Sequence, residues 1–502
     1  MQHPFAGRYR TSRALTATSD NDVPGGTMYD DESTPTASRA GALTRRTLLG
    51  VGAAGAAGVL LTAGARPGAA VPASYNRMWD TIVIGAGASG LGAARVIADA
   101  GKRVLVLEAR DRIGGRMWTD RTSMGIPIER GAELVHGTTV STWGLIDQLG
   151  LATHRQTEIH SRLTPETPWT NAFDFESLHF PLGAPSYPNG LPDPVDGETA
   201  LAWLERVGIP PENYSTALAA IEVDSEQFDV LPAWFVVDTV VAGLETQDLS
   251  GPMPPEEYGD YRVIGGYNQV LQPLVAGLPL VHGARVHTVE HRAGRVDVHS
   301  SAGSFKAKTL VVALPGGVLK HGDITFDPPL PADKRDGFQE IEYLPVFKGI
   351  LEFAHPVLPE DHPLPRAWDI MTTFSKNPPS LWNGSVGTPG YGGEVIVAWM
   401  TGGKAQDLLD LPEAERFQAA LDNIRTAVGD QGLQYVKAST YDWSKDEFAR
   451  GAYPGPFSRR SGLNAPIDGT IFWAGMVTST IHSSRNSGVT AANATLAALA
   501  LR

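Results

Sequence analysis

The chain contains no cysteine among its 502 residues, and it carries a formal net charge of −14. The absence of cysteine excludes disulfide bonds, so the oxidation state of the compartment cannot be inferred from them. It also excludes lipid attachment through a cysteine thiol. The acidic balance, without any long run of lysine or arginine, argues against nucleic acid as a partner. The sequence shows no internal repeat and no transmembrane segment beyond its first 75 residues.

The first 75 residues have a composition unlike the rest. Residues 1–43 are rich in Ser, Thr, Asp, Gly and Pro, which is typical of disorder. Thr44–Leu49 reads TRRTLL, and Gly50–Gly64 is a Gly/Ala/Leu/Val stretch followed by small residues. This order indicates a twin-arginine signal peptide and export to the periplasm or the cell exterior, with a mature chain that starts near residue 70. A permanent N-terminal anchor is the alternative, although the stretch is shorter than the roughly twenty apolar residues of a membrane span.

The most informative segment follows at 81–120, TIVIGAGASGLGAARVIADAGKRVLVLEARDRIGGRMWTD. Thr81–Ile84 predicts a short buried strand, and Gly85 suits the sharp turn from strand to helix. Gly87 has no Cβ to keep a pyrophosphate from the backbone, and Gly90 lets the helix pack closely on the sheet. The N–H groups of the first helical turn, together with the helix dipole, favour a bound phosphate.

A second strand and an acidic residue complete this pattern. Lys102–Leu107 predicts the strand, and Glu108 stands where a carboxylate would accept hydrogen bonds from an adenosine ribose. The sequence therefore predicts a dinucleotide-binding β-α-β unit.

The residues after this acid indicate which dinucleotide is bound. Glu108–Arg110 leads into Arg112-Ile113-Gly114-Gly115-Arg116, which resembles the extended fingerprint of the flavin amine oxidase family, including monoamine, polyamine and L-amino acid oxidases. The resemblance implies FAD, with Gly114, Gly115 and Arg116 along its pyrophosphate; a bidentate guanidinium suits phosphate. It also places a returning loop at Gly131–Gly137 and an adenine contact at Val286. The cofactor-binding residues predicted in this way are Gly85, Gly87, Ala88, Ser89, Gly90, Glu108, Ala109, Arg110, Gly114, Gly115, Arg116, Gly131, Ala132, Glu133, Val286, Gly475, Met476 and Ile481.

About 430 residues remain after the signal peptide, too many for a single core. We expect an α/β fold in which a Rossmann-like FAD-binding domain is interleaved with a substrate domain of mixed sheet plus helices. The predicted segments are the disordered N-terminus and signal at 1–75, FAD-binding parts at 76–150, 261–330 and 441–502, and substrate-domain parts at 151–260 and 331–440. Helices are expected at Glu198–Val207, Leu231–Leu244, Arg262–Leu280 and from Ser487 onwards.

Lys348 is the candidate catalytic residue in the second half of the chain. It lies in Pro345–Phe353, where alternating apolar residues predict a strand of the substrate domain. In the family that the chain resembles, this lysine holds a water against flavin N5, where a cation favours the transfer of electrons to oxygen. The alternative is a lysine that points into solvent from a two-faced sheet.

The C-terminal part resembles the family segment that places aromatic residues beside the flavin. Tyr453 matches one of the two aromatic residues that enclose the substrate amine, and Thr480 stands where the second would be. Ala452 replaces the cysteine that binds FAD covalently in monoamine oxidases, so the cofactor is expected to be non-covalent. Met476 stands where most relatives have Glu. We assign Lys348 and Tyr453 as catalytic and Tyr453, Thr480 and His482 as substrate-binding, with no metal. Arg485 could pair with a substrate carboxylate, and an ordinary surface arginine is the alternative. The side chains of Glu133 and His136 are left without a role.

These residues predict an FAD-dependent oxidase that converts an amine, with a primary amine favoured, to an imine and then to an aldehyde plus ammonia. Oxygen would be reduced to hydrogen peroxide. The alternatives are an L-amino acid oxidase, a desaturase or porphyrinogen-oxidase-like enzyme, and a flavin-binding protein without turnover. The expected partners are a small-molecule amine and O₂, with no nucleic acid and no stable membrane span. A homodimer is compatible with the sequence.

Overall fold

The computed structural model describes residues 75–162, 168–171, 195, 197–207, 259–373, 377–454 and 462–502. The predicted signal peptide at 44–70 and the predicted helix at Leu231–Leu244 lie outside these ranges. Within them, no helix is both long enough and apolar enough to cross a bilayer.

The first sheet is built around the strand that precedes the glycine-rich turn. β1 (Met78–Ile84) pairs in parallel with β2 (Val104–Leu107) and with β13 (Gly303–Val312). Where the three strands lie side by side, at Ile82–Ile84, Val104–Leu107 and Leu310–Val312, they are continuous apolar runs because both faces of the sheet are covered. The other strands of this sheet are β10 (Leu280–Val281), β11 (Val286–Arg292), β12 (Arg295–Ser300), β14 (Thr325–Asp327) and β22 (Ile471–Trp473), in the order β10-β2-β1-β13-β12-β11-β14 with β22 also paired to β13.

Two helices cover one face of this sheet. α1 (Ala88–Asp99) follows the glycine turn. α9 (Ile481–Ala500), near the end of the chain, packs against α1. Their close contact depends on a small residue, since a Cβ built on Gly488 would lie 2.0 Å from the Ser89 carbonyl oxygen. On the other face, α5 (Gly316–His321) and α6 (Ala332–Gln339) contribute apolar side chains to a separate core.

The second sheet carries Lys348. Along β16 (Val346–Phe353), the residues at 347, 351 and 353 pack into the core formed with α7 (Gly403–Asp410) and α8 (Glu413–Val428), so Lys348 belongs to the opposite face. The other strands are β7 (Ile159–Arg162), β8 (Thr170–Asn171), β17 (Ile370–Thr373), β18 (Ser380–Asn383), β19 (Glu394–Thr401) and β20 (Lys437–Thr440), in the order β20-β16-β19-β18-β17-β7-β8.

Smaller elements connect the two large sheets. A three-stranded sheet contains β5 (Leu134–His136), β9 (Asp260–Val263) and β6 (Thr153–Arg155) in that order. The remaining elements are the strand pairs β3 (Thr119–Asp120) with β4 (Ile128–Glu129) and β15 (Tyr343–Leu344) with β21 (Tyr453–Pro454), the helices α2 (Trp143–Leu149), α3 (Ala200–Arg206) and α4 (Gln272–Val275), and a 3₁₀ helix at Tyr267–Leu271.

This architecture confirms the α/β fold class. The first sheet takes its strands from 76–150, 261–330 and 441–502, and the second takes its strands from 151–260 and 331–440. The domain boundaries themselves stay a prediction. The predicted helix near 198–207 and the strand that contains Lys348 agree with α3 and β16.

Two predicted helices are wrong at their boundaries. Arg262–Leu280 was expected to be helical, but Arg262 lies in β9, and only the 3₁₀ helix and the short α4 follow. The last helix begins at Ile481 and not near Ser487, because the Thr480 hydroxyl accepts from the Ser483 N–H and the two residues form a capping box.

The contact between α1 and α9 leads to a stability prediction. In an ordinary helix interior, Gly488→Ala would stabilise by about 1 kcal/mol. Here we expect a loss of about 1–3 kcal/mol, because the new methyl group would overlap the Ser89 carbonyl oxygen. Thermal unfolding of the purified variant measures the effect. Asn493→Ala, at an exposed position of the same helix, is the control and should be as stable as the wild type or slightly more stable, because alanine favours a helix; a higher unfolding temperature for Gly488→Ala would contradict the close contact.

Candidate active site

Two glycine turns lie against each other at the carboxyl end of β1. Gly85 has φ +97°, and a Cβ there would lie 2.5 Å from the Ala313 carbonyl oxygen, so glycine is required on both counts. The Gly114 N–H donates to the Ala86 carbonyl at 2.8 Å, which fixes the second turn beside the first. Gly90 is a packing residue, since its Cβ would lie 1.9 Å from the Gly85 carbonyl oxygen.

The first turn of α1 is left open to an anion. Gly87 is its N-cap residue, and no side chain caps the helix. The free N–H groups of the first turn therefore need another acceptor. Cβ atoms built on Gly87 and Gly115 would meet nothing closer than 4.0 Å and 3.7 Å, respectively, so both backbones border open space. We call the first turn of α1, together with the backbones of Gly87 and Gly115, the cradle. An elongated phosphate group fits it.

Glu108 fixes the turn that it follows. Its Oε2 accepts from the Ala86 N–H at 2.7 Å, and its Oε1 accepts from the Arg110 N–H at 2.9 Å. Burial raises the pKa of the Glu108 carboxyl. Each carboxylate oxygen can still accept a further hydrogen bond, which leaves capacity for a ribose hydroxyl.

Arg110 forms an ion pair with a residue that the sequence did not indicate. Its guanidinium makes a bidentate ion pair with Asp446, with nitrogen–oxygen distances of 2.8 and 2.6 Å. Burial alone would raise the pKa of Asp446, but the Arg110 guanidinium and the Tyr441 hydroxyl outweigh burial and lower it. This pair ties the segment at 441–448 to the dinucleotide turn. Arg116 differs, because its Nη1 donates to the Ala452 carbonyl oxygen.

A single cavity of about 970 Å³ extends from the glycine turns to the face of the second sheet. It brings together most of the residues predicted from the sequence. The predicted residues that line it are Gly85, Gly87, Ala88, Ser89, Glu108, Ala109, Arg110, Gly114, Gly115, Arg116, Gly131, Ala132, Glu133, Val286, Lys348, Gly475, Thr480 and Ile481.

A few predicted residues are placed elsewhere. Gly90, Met476 and His482 are not among the described residues that line the cavity. The Met476 side chain is buried, and its carbonyl accepts from the Tyr343 hydroxyl at 2.8 Å. The His482 ring lies 3.1 Å from the Thr480 hydroxyl. The Tyr453 backbone pairs with Leu344, and its side chain lies outside the described part of the structure.

Lys348 is buried on the cavity wall, which excludes the solvent-facing alternative. Its Nζ lies 2.7 Å from Glu133 Oε2 and 3.1 Å from the Gly131 carbonyl oxygen. Glu133, left without a role by the sequence, is therefore its ion-pair partner. The same ammonium stands over the Trp382 ring, 5.4 Å from the centroid.

Four further lining residues were missed or left without a role. Trp382 and Trp399 face the cavity from neighbouring strands with ring centroids 6.1 Å apart, and Trp399 is the cross-strand neighbour of Lys348. His136 and Asp260 form a contact of 2.7 Å at a more exposed part of the wall. The sequence offered only strand alternation around the tryptophans, and the strand register that brings them beside Lys348 is not visible in it.

Comparison with known proteins identifies the family of the chain. Residues 88–496 match the family model described as flavin containing amine oxidoreductase. The chain belongs to this family. It is therefore a flavin-dependent amine oxidase, and its cofactor is FAD. Attachment through cysteine is excluded because the chain has none.

This amine oxidase is similar to proteins named as polyamine oxidases and as lysine-specific histone demethylases. It is 27% identical to polyamine oxidase 2 from Arabidopsis thaliana over 451 residues, which is 83% of this chain and 88% of that protein. It is 26% identical to human lysine-specific histone demethylase 2 over 446 residues, 81% of this chain and 51% of that protein.

Solved structures show the shared fold. A putrescine oxidase variant superposes with a TM-score of 0.66 at 22% identity, covering 84% of this chain and 99% of that one. Cyclohexylamine oxidase from Brevibacterium oxydans gives 0.63 at 22% identity, with 85% and 99% covered.

The cradle of this amine oxidase can be tested without turnover. Gly87→Val places a side chain in the open space of the cradle, where the backbone conformation and the neighbours tolerate it but a phosphate group cannot then approach. We expect a folded protein without flavin, measured as lost visible absorbance with near-normal circular dichroism. Gly144→Val, at a glycine of α2 with nothing within 4 Å of its Cβ, is the control and should stay yellow. Full flavin content in Gly87→Val would remove the cradle from the site.

Proposed function

We propose that this oxidase converts a primary amine to an imine, which water hydrolyses to an aldehyde and ammonia, while O₂ is reduced to H₂O₂. Bound FAD supplies the redox chemistry by accepting a hydride equivalent from the carbon next to nitrogen and returning the electrons to oxygen. The observation that carries the proposal is the buried Lys348 ammonium, which lies on the cavity wall beside a pair of tryptophans.

The wall around Lys348 favours a substrate without a net charge. Trp382 and Trp399 present aromatic faces, and Ile159 and Ile370 add apolar surface. Apolar surface of this kind selects the neutral amine, since desolvating an ammonium costs free energy. The tryptophan pair also offers π faces to the same cavity that Thr480 lines, where the resemblance leads us to expect an aromatic residue.

The charged side chains of the wall argue against an amino acid. A substrate carboxylate requires a cation that is not already paired. In the described lining, Lys348 is paired with Glu133, Arg130 with Asp120 and Arg285 with Glu447, in addition to the pair of Arg110 with Asp446. Arg116 also lines the cavity, but it donates to the Ala452 carbonyl oxygen and is the residue that we assign to the FAD pyrophosphate. Arg485, considered for this role, is not a described lining residue, and its Nη1 donates to the Ser141 carbonyl at 3.3 Å. These pairings support an amine as the substrate.

We further propose that the chain is exported by the twin-arginine route, on the pattern at Thr44–Leu49. Homodimer formation and the absence of nucleic-acid binding stay predictions from the sequence.

A matched pair of substrates tests the proposed reaction. Phenethylamine and L-phenylalanine differ only by a carboxylate, and we expect kcat/KM to be at least roughly tenfold higher for the amine, because the carboxylate would be buried without a partner. Peroxide release measures both. A higher value for the amino acid would favour the L-amino acid oxidase alternative, and no peroxide from a panel of amines by the flavin-loaded protein would contradict the proposal.

Lys348→Met tests the lysine in the oxygen half-reaction. We expect reoxidation by O₂ to slow on the order of 100-fold, while anaerobic reduction by the amine changes only a few-fold, because the cation acts where negative charge develops on oxygen. Stopped-flow absorbance separates the two steps. Lys334→Met is the control, since Lys334 is also buried but donates to the Leu463 carbonyl outside the cavity lining. Equal rates of reoxidation in Lys348→Met and the wild type would remove Lys348 from this step.

A further inference from the structure

A row of alternating charges is buried at the cavity wall, where Lys348 and Glu133 line the cavity and Arg262 is not among the described lining residues. Arg262 Nε is 3.6 Å from Glu133 Oε1, and Glu133 Oε2 is 2.7 Å from Lys348 Nζ. The three side chains are only 8–9% exposed. Each therefore depends on its neighbours, because buried charges without a partner are costly.

Two of these groups lie on strands, Arg262 on β9 and Lys348 on β16. Glu133 immediately precedes β5, where Leu134 is the cross-strand neighbour of Arg262 on β9. Arg262 Nη1 also donates to the carbonyl oxygens of Asn383 and Val386, at 3.1 and 3.0 Å. Arg262 is thus fixed to both the three-stranded sheet and the second large sheet. Arg262 therefore fixes one oxygen of the Glu133 carboxylate, and the other oxygen contacts Lys348.

Glu133 also limits where the Lys348 ammonium can lie. An ammonium has three N–H donors, and two of them point to Glu133 Oε2 and the Gly131 carbonyl oxygen. Because both acceptors are on the wall, the third donor is directed away from them. Without the carboxylate, a flexible lysine side chain would be held only by the Gly131 carbonyl contact and the Trp382 ring.

The neighbouring charges show what the loss of Glu133 would do. Burial raises the pKa of Glu129 to about 7, and its carboxyl accepts from the Thr119 hydroxyl and the Tyr267 N–H. Around neutral pH it is therefore only partly charged. Removing the Glu133 carboxylate would therefore leave Lys348 and Arg262, two buried cations, without a fully charged carboxylate between them.

We infer that Glu133, fixed by Arg262, is a positioning residue that holds the Lys348 ammonium at the cavity wall for the oxygen half-reaction. This inference rests on the proposed function and adds two residues to it. Neither Glu133 nor Arg262 is required to touch the substrate.

Glu133→Gln tests this role. We expect reoxidation to slow about tenfold, because the Lys348 ammonium is no longer held at the cavity wall by a charged acceptor. Reduction by the amine should change much less. A purely structural role would slow both half-reactions. Glu352→Gln, a buried carboxyl on the strand that carries Lys348 but outside the cavity lining, is the control and should keep the wild-type reoxidation rate.

A double-mutant cycle gives a measurement besides activity. If Glu133 and Lys348 form one ion pair, the lowering of the unfolding temperature in Glu133→Gln/Lys348→Met should be smaller than the sum of the two single changes. Reoxidation by the double variant should be no slower than by Lys348→Met. Additive effects on both measurements would overturn the inference.

The outcomes separate the two levels of the proposal. If Lys348→Met slows reoxidation but Glu133→Gln does not, the positioning role is wrong and the proposed role of Lys348 stands. If Lys348→Met has no effect, both are wrong. Should Glu133→Gln be obtained without flavin, Glu133→Asp decides: its shorter carboxylate cannot keep the 2.7 Å contact, so slow reoxidation is expected and a wild-type rate would overturn the role.

Discussion

The uncapped first turn of α1 is the feature on which the rest of the molecule depends. Its N–H groups face a cavity instead of a side-chain acceptor, and the two glycine turns at 85–87 and 114–115 keep that cavity open. The fold stabilises this arrangement with close backbone contacts that leave no space for a larger side chain, such as the contact between α9 and α1 at Gly488. A bound phosphate group completes the hydrogen bonding of the turn.

The second determinant is the meeting of two sheets at one cavity. The first sheet presents the dinucleotide turn, and the second presents Lys348 with the tryptophan pair. The ion pair between Lys348 and Glu133 joins the second sheet to the loop that returns from the glycine turns. A cation is thereby fixed in an apolar wall, where its effect on a developing negative charge is greater than in water. A substrate carboxylate would find the Lys348 cation of this wall already paired with Glu133.

The local part of this arrangement could be predicted from the sequence. Glycine spacing, a β-branched run and an acid after the second strand define the dinucleotide turn, because each follows from backbone geometry over a few residues. Lys348 could be placed on a strand by alternation. Its partner could not be found, because Glu133, Arg262 and Lys348 are joined only by pairing between distant strands. Trp382 and Trp399 were missed for the same reason, and the start of α9 was misplaced because its cap uses Thr480 and Ser483 in place of a glycine turn.

The most direct measurement of the central claim is an anaerobic titration of the purified protein with a primary amine, followed by visible absorbance. The account predicts that the protein is yellow as isolated, that the amine bleaches it without oxygen, and that admission of air restores the colour. A protein that binds no flavin after reconstitution, or a bound flavin that no amine reduces, would contradict it.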